Sequence, residues 1–287
     1  MTHRLSATAT FLLLSCSLLA RPAMAQDGAQ ANASATPEFQ SCLSGLASSA
    51  RSAGVSNTSY TQFTQGLTPD MSVIEKLNYQ PEFRLPIWDY LSGLVDEERV
   101  AEGRALLEKN AETLSKVEQR FGVDPATVVA VWGVESNFGQ NFGKYPLVQS
   151  LGTLSCFGRR QSYFRGEFFA ALRILQKGDV APERLLGSWA GAFGHTQFMP
   201  STFERLAVDF DGDGKADLMD NTADALASTA NFLNKAGWRT GQPWGFEVKL
   251  PAGFNTDGEG RRSKRSMSEW AKRGVAMVDG SALPADA

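Results

Sequence analysis

Asp124-Pro125-Ala126-Thr127-Val128-Val129-Ala130-Val131-Trp132-Gly133-Val134-Glu135-Ser136-Asn137 reads as one helix with its start marked. Asp124 is a favourable N-cap, and Pro125 fits the first helical position, where a missing N–H costs nothing. The run is unusually apolar. Val128, Val131, Trp132 and Glu135 fall at i, i+3, i+4 and i+7, which is one helical face. That face is expected to be buried, pressing Glu135 against the core at the helix end. Burial disfavours a charged carboxylate and raises its pKa. A carboxyl kept protonated near neutral pH suits a general acid. The plainer alternative is a helix-end Glu that is solvated or paired with Arg.

Outward from this helix the pattern stays helical. Upstream, Glu38 to Ala53 is expected as a helix closed by Gly54. A loop with Pro69, Pro81 and Pro86 follows, with Trp88 and Tyr90 near its end. Asp96, Glu97 and Glu98 suit the first turn of a long helix, facing the positive end of its dipole. Val100, Leu107, Leu114, Val117 and Phe121 keep helical spacing until Gly122. Downstream, helices are expected over Gln161 to Lys177 and over Thr222 to Ala236, ending at Gly178 and Gly237. Ser201-Thr-Phe-Glu204 has the form of a capping box opening a short helix. Phe246 to Leu250 alternates as a strand would. The expected class is mainly α (α+β), with a minor β element and no internal repeat.

The 287 residues, 43% apolar and 21% charged, describe an ordinary globular chain with a sizeable core. Only two histidines occur, and His3 lies in a segment read as removable. A zinc enzyme with several His ligands is therefore excluded, and a Ser-His-Asp triad would have to use His195. Carboxylate chemistry is the remaining expectation. Residues 1–25 read as a secretory signal: Arg4, an uncharged run from Leu5 to Ala20, then Ala23-Met24-Ala25 as an A-x-A site. The uncharged run is too short to span a bilayer. A lipoprotein signal ending at Cys16 is the rival, so the expected location is the periplasm, with or without a lipid anchor. Cleavage removes two of the 28 basic residues and none of the 31 acids, moving the net charge from −3 to −5. Such an acidic chain, with no long basic stripe, is not expected to bind nucleic acid. Residues 26–36, small and polar, read as a disordered leader. Cys42 and Cys156 remain after cleavage, either joined as a disulfide or left as two buried thiols.

Three further segments carry chemistry-bearing residues. Gly187 to Pro200 (GSWAGAFGHTQFMP) combines glycines with Ser188, Thr196 and Gln197 as hydrogen-bonding groups and Trp189, Phe193 and Phe198 as apolar faces. Sugars bind to that combination, and a Gly-rich helix contact is the alternative. His195 has no discernible acidic partner and reads as a packing or cleft-lining residue. Asp209, Asp211 and Asp213 at positions 1, 3 and 5, Gly214 at 6 and the Lys215 carbonyl at 7 match an EF-hand-like calcium loop. Position 12 is Asp220 in place of the usual Glu, and Asp224 is the other candidate for that ligand. Outside the cytosol such a loop more often fixes a fold than switches it. Arg159-Arg160 and Arg261-Arg262-Ser-Lys264-Arg265 are basic clusters, read as solvated surface or as contacts to anionic groups.

Taken together, Val131-Trp-Gly-Val-Glu135-Ser-Asn-Phe-Gly139, Gly152-Thr-Leu-Ser155, Arg159-Arg160, Gly187-Ser-Trp-Ala-Gly-Ala-Phe-Gly194, Gln197-Phe-Met-Pro-Ser201 and Ala207-Val-Asp-Phe-Asp-Gly-Asp-Gly214 resemble the membrane-bound lytic murein transglycosylase B family, glycoside hydrolase family 103. The resemblance runs from about Pro37 to the C-terminus. It implies a lysozyme-like helical core over about 122–240 behind an N-terminal helical part over about 37–121, together one catalytic domain over 37–287. It also implies cleavage of the MurNAc–GlcNAc bond of peptidoglycan, with a single catalytic carboxyl at Glu135 and a 1,6-anhydro product. Ser188, Gln197, Phe198, Tyr163 and Tyr90 match cleft residues, and Arg159 and Arg160 match positions near the stem peptide. His195 stands where relatives often have Tyr. No cofactor is implied for catalysis, and structural calcium is. Glycan strands are the implied partner, with cell-wall enzyme complexes beyond them and a monomeric chain. The family continues into a segment with a Tyr-Asn motif that is not found here, which leaves a non-catalytic peptidoglycan-binding or scaffold role as the alternative.

Overall fold

A computed structural model describes residues 23–78, 86–243, 245–260 and 263–285. Residues 1–22 of the signal expected over 1–25, with Cys16, together with Pro81 of the expected loop and the pair Arg261-Arg262, lie outside the described residues. The chain divides into a unit ending at Trp238 and a second unit from Arg239 onward.

The first unit is mainly helical. Helix α1 runs over Ala23–Ser52, and Gly54 beyond it turns with φ 90°. It includes residues 26–36, so the disordered leader expected there is corrected to helix. Ala31, Ala33 and Ala35 are strong helix formers, and Asn32 Oδ1 accepts the Met71 N–H at 2.8 Å. Short helices α2 (Asn57–Thr64), α3 (Ser72–Asn78) and α4 (Ile87–Leu94) occupy much of the stretch expected as loop. The long helix expected from Asp96 to Phe121 is two, α5 (Glu97–Lys109) and α6 (Ala111–Phe121). Asn110 breaks it: its Nδ2 donates to the Leu106 carbonyl at 2.8 Å, the kind of side-chain bond that competes with helix.

Helix α7 spans Pro125–Ser136, with Asp124 accepting the Thr127 N–H as N-cap. Strand β1 (Tyr145–Pro146) leads into α8 (Leu147–Cys156), a helix not foreseen in the sequence, and α9 (Gln161–Lys177) keeps its expected bounds. Strand β2 (Leu186–Gly187) pairs antiparallel with β1. Helices α10 (Pro200–Leu206) and α11 (Thr222–Lys235) complete the unit. The capping box at Ser201 is not formed. Pro200 takes the first helical position with Met199 as N-cap, so Ser201 lies inside the helix and its N–H and Oγ bond the Glu167 carboxylate.

Two cores hold this unit. One gathers Phe39, Leu151, Phe168, Leu172 and Phe193 around α8 and α9. The other packs α7 on α6 and α11 through Val117, Val128, Trp132 and Leu226. The Cys42–Cys156 disulfide is formed and joins α1 to the last residue of α8. In the second unit, strand β3 (Val248–Lys249) is shorter than the Phe246–Leu250 alternation suggested. It pairs with β4 (Ala276–Met277), and α12 (Met267–Lys272) opens with a true capping box, Ser266 with Glu269. Among the described residues no helix is long and apolar enough to cross a membrane.

Candidate active site

The buried face of α7 carries Val128, Val129, Trp132, Gly133 and Ser136. This corrects the expected face, which placed Val131 and Glu135 inside. The turn after the helix sets the difference. Asn137, Phe138 and Gly139 are all left-handed, with φ of 49°, 55° and 85°. They fold the Phe138 ring back onto Gly133, where a Cβ would lie 2.7 Å from the ring. That side of the helix is therefore the closed one, and Glu135 looks toward solvent at its rim. The protein around the carboxyl still strips enough water from it to push its pKa above the usual carboxylate range. Among the described residues no hydrogen bond or ion pair engages the Glu135 carboxylate, so the Arg-paired alternative does not hold.

The last turn of α7 is tied to the Gly187–Pro200 segment. Trp132 Nε1 donates to His195 Nδ1 at 2.9 Å, and Ser136 Oγ donates to the His195 carbonyl at 2.8 Å. His195 is buried, and burial holds its imidazole below the usual pKa against the upward pull of Asp217 and Asp220. Within the segment, Gly187 pairs with Phe193 and Phe193 with Phe198. Ser188 closes the turn: its N–H donates to the Ala192 carbonyl at 2.8 Å and its Oγ accepts the Ala192 N–H at 3.0 Å. Gln197, left-handed at φ 48°, donates Nε2 to the carbonyls of Phe142 and Gly194. Phe198 is buried and packs on Phe232 with ring centroids 5.6 Å apart, so it offers a core face more than an open sugar platform.

Arg159, Arg160 and Tyr163 do come together with Trp189 and Ala190, lining a cleft of about 150 Å³ with Leu77 and Met199. The two arginines differ in employment. Arg159 Nη2 donates to the Leu77 carbonyl at 2.5 Å, while the Arg160 guanidinium lies over the Tyr163 ring, 4.4 Å from its centroid. Burial and the nearby Glu167 raise the Tyr163 phenol, and Arg160 lowers it. Tyr90 is not part of this cleft; it is exposed on α4 beside Ile87, Trp88 and Leu91. Sequence reasoning did not foresee the contribution of Leu77, because the fold alone brings α3 to that wall.

In the acidic loop, oxygens of Asp209, Asp211 and Asp213 lie within 4.8 Å of one another, a donor set suited to a hard cation. The loop is pre-shaped by its own amides: Asp209 accepts the N–H groups of Gly212 and Gly214, and Asp213 accepts that of Lys215. The two candidates for the twelfth ligand are engaged elsewhere. Asp220 pairs with Arg184, and Asp224, fully buried, accepts the N–H groups of Phe210 and Asp217. Asp224 thus frames the loop, and among the described residues the carboxylates that converge are those of Asp209, Asp211 and Asp213.

A family model described as the transglycosylase SLT domain matches residues 38–287. The membrane-bound lytic murein transglycosylase B of Escherichia coli (strain K12) is 34% identical over 189 residues, which is 65% of this chain and 51% of that protein. Among solved structures, SltB3 from Pseudomonas aeruginosa in complex with NAG-anhNAM-pentapeptide aligns with a TM-score of 0.79 at 44% identity, covering 86% of this chain and 66% of that one. The Escherichia coli lytic transglycosylase Slt35 in complex with calcium aligns with a TM-score of 0.72 at 29% identity, covering 85% and 76%. The chain therefore spans about half the length of the curated relative it matches and just under two thirds of SltB3.

Proposed function

Because the chain belongs to the transglycosylase SLT domain family, we propose that it is a lytic murein transglycosylase that cleaves the MurNAc–GlcNAc β-1,4 bond of peptidoglycan, with Glu135 as its single acid and base. The observation that carries this reading is the Glu135 carboxyl itself: solvent-facing, without a partner among the described residues, and raised in pKa by its surroundings. A group in that state is protonated over a wider pH range and free to meet a ligand.

The chemistry follows from one carboxyl. Protonated Glu135 gives its proton to the glycosidic oxygen as the C1–O bond of MurNAc breaks and positive charge develops at C1. The resulting carboxylate takes the proton of the MurNAc C6 hydroxyl as O6 closes on C1. One bond breaks, one forms, and Glu135 ends protonated again, with a 1,6-anhydro ring and no water consumed. The common two-carboxylate schemes deliver water instead. Ser188 and Gln197 line the approach in this reading. Arg160 over Tyr163, beside Trp189, suits a sugar or peptide bearing a carboxylate. Asp209, Asp211 and Asp213, with the Lys215 carbonyl, would hold a calcium ion that braces the loop ahead of α11 and takes no part in the reaction. A signal over 1–25 and the Cys42–Cys156 disulfide support a periplasmic location, since disulfides persist in oxidising compartments.

Digestion of purified sacculi followed by mass spectrometry of the muropeptides tests the reading. The expected products end in 1,6-anhydro-MurNAc, and Glu135→Gln yields none. Reducing ends would make the enzyme a hydrolase. Binding of sacculi without cleavage, unchanged by Glu135→Gln, would make it a non-catalytic cell-wall protein.

A further inference from the structure

The Glu135 carboxylate has no hydrogen bond or ion pair among the described residues, so its placement is inherited from the backbone of the last turn of α7. That turn is fastened at two points, one on each side of Glu135, and both lead to the same residue. Trp132, three residues before it, donates its indole N–H to His195 Nδ1 at 2.9 Å. Ser136, the residue after it, donates Oγ–H to the His195 carbonyl at 2.8 Å and accepts the Gly139 N–H at 3.0 Å. Around these bonds the packing leaves no slack. A Cβ on Gly139 would lie 2.1 Å from His195 Cε1, and the Phe142 ring meets the imidazole edge-on at 4.8 Å. His195 is in turn held by its backbone N–H, which donates to the Leu218 carbonyl at 2.9 Å.

We propose that His195 is a positioning residue for Glu135, clamping the end of α7 through Trp132 and Ser136 without touching substrate. The inference rests on the reading of Glu135 as the acid and base. Nδ1 can accept the Trp132 N–H only while the His195 imidazole is neutral with its proton on Nε2, and burial favours that neutral form over the opposing attraction of Asp217 and Asp220. Removing the acceptor leaves the Trp132 indole N–H buried without a partner, which favours a shift of the turn that carries Glu135. Displacements near 1 Å at a reacting group are enough to matter, costing about a hundredfold in rate.

The experiment compares the full chain with His195→Leu, His195→Asn, Trp132→Phe and the Trp132→Phe/His195→Leu pair, by sacculus digestion kinetics and by the ¹H–¹⁵N resonance of the Trp132 indole. Asn keeps an acceptor near the place of Nδ1; Leu does not. The expected result for His195→Leu is a fall in kcat of about 10- to 100-fold with KM within about twofold. His195→Asn should recover most of that loss and keep the indole resonance near its wild-type position, which His195→Leu shifts. Trp132→Phe should lose as much, and the pair no more than either single change. An unchanged kcat in His195→Leu, a loss confined to KM or to melting temperature, or an Asn variant as slow as Leu overturns the proposal. Should His195→Leu fail to fold, Trp132→Phe removes the donor together with part of a buried ring, and normal turnover there overturns the proposal equally. If Glu135→Gln stays active or wild type gives no anhydro product, the parent reading has failed and takes the positioning role with it. A normal parent with an indifferent His195 sinks the positioning role alone.

Discussion

The guanidinium of Arg173 grips the Glu204 carboxylate twice, Nε to Oε1 at 2.7 Å and Nη2 to Oε2 at 2.6 Å. A third donor reaches the Ala53 carbonyl at 2.7 Å, so one side chain fastens α9 to α10 and to the end of α1. The two side chains are only 25% and 16% exposed, whereas Arg184 and Asp220 are 52% and 61% exposed. Burial decides which pair matters. Arg173→Ala strands a partly buried carboxylate and should cost about 3 kcal/mol of unfolding free energy. Arg184→Ala should cost less than about 1 kcal/mol. Urea denaturation of the two variants checks the ranking; equal losses would show that the bidentate geometry contributes nothing beyond a surface pair.

The disulfide between Cys42 and Cys156 closes a loop with a sequence separation of 114 residues. A cross-link of that span restricts the unfolded chain strongly, and its loss is expected to lower stability by about 3–5 kcal/mol. The Cys42→Ser/Cys156→Ser variant should therefore unfold at lower urea with the same folded circular dichroism spectrum. Addition of a reductant should move wild type toward the variant and leave the variant where it is.

Glu135 makes a prediction in pH. Its carboxyl is raised, chiefly by loss of water around it. In the proposed reaction the protonated form acts first, so kcat/KM should decline as pH rises through that raised pKa, with the basic limb displaced upward from that of an ordinary Glu. The sign for stability runs the same way. A carboxyl whose pKa is higher folded than unfolded favours the folded state at low pH and loses that contribution as pH climbs through the folded value. Glu135→Gln should accordingly melt no lower than wild type at neutral pH while being inactive. Profiles of rate and melting temperature against pH test both halves; a variant that melts well below wild type would assign Glu135 a structural bond it does not show.

Local chemistry made much of this fold legible. Asp124-Pro125 opens α7 and Gly178 follows the end of α9, as the N-cap and C-terminal glycine preferences anticipate. The failures come where tertiary contacts override a local pattern. Asn110 splits what periodicity joined, and the apparent capping box at Ser201 spends its side chain on Glu167 from another helix. The same holds in the site. Glu135 stood out by residue type and position, but its face was misassigned because the return of Phe138 onto Gly133 depends on a left-handed turn that spacing does not encode. Arg159 and Arg160 were equivalent as a dipeptide, and only the tertiary positions of Leu77 and Tyr163 separate them.

The acidic loop yields a prediction about metal. With three convergent carboxylates in place, calcium should raise the melting temperature in proportion to the logarithm of its concentration, as a ligand of the folded state does. Asp209→Asn should blunt that dependence. Because Asp209 also accepts the Gly212 and Gly214 N–H groups through oxygens that Asn only half preserves, the variant should melt somewhat lower without calcium too. Differential scanning calorimetry over a calcium series, with chelator as the zero point, separates the two effects. A melting temperature indifferent to calcium would leave the loop as a hydrogen-bonded turn.

The same substitution at two glycines should act with opposite sign. Gly166 lies within α9, where an added Cβ meets nothing within 4 Å. Ala there loses less backbone freedom on folding, so Gly166→Ala should stabilise by about 0.5–1 kcal/mol. At Gly187 an added Cβ would stand 2.2 Å from the Ala192 carbonyl oxygen and 2.8 Å from Leu147 Cδ1. The first of these is backbone, and it is the oxygen that accepts the Ser188 N–H, so the clash cannot be relieved by turning a side chain without opening the Ser188 turn. Gly187→Ala should cost about 3 kcal/mol or more. It should also slow cleavage of sacculi beyond what its melting temperature explains, because the displaced turn carries Ser188 and Trp189. Urea curves and muropeptide yields on both variants decide the matter: a neutral Gly187→Ala would mean that the backbone of this segment is freer to move than its contacts allow.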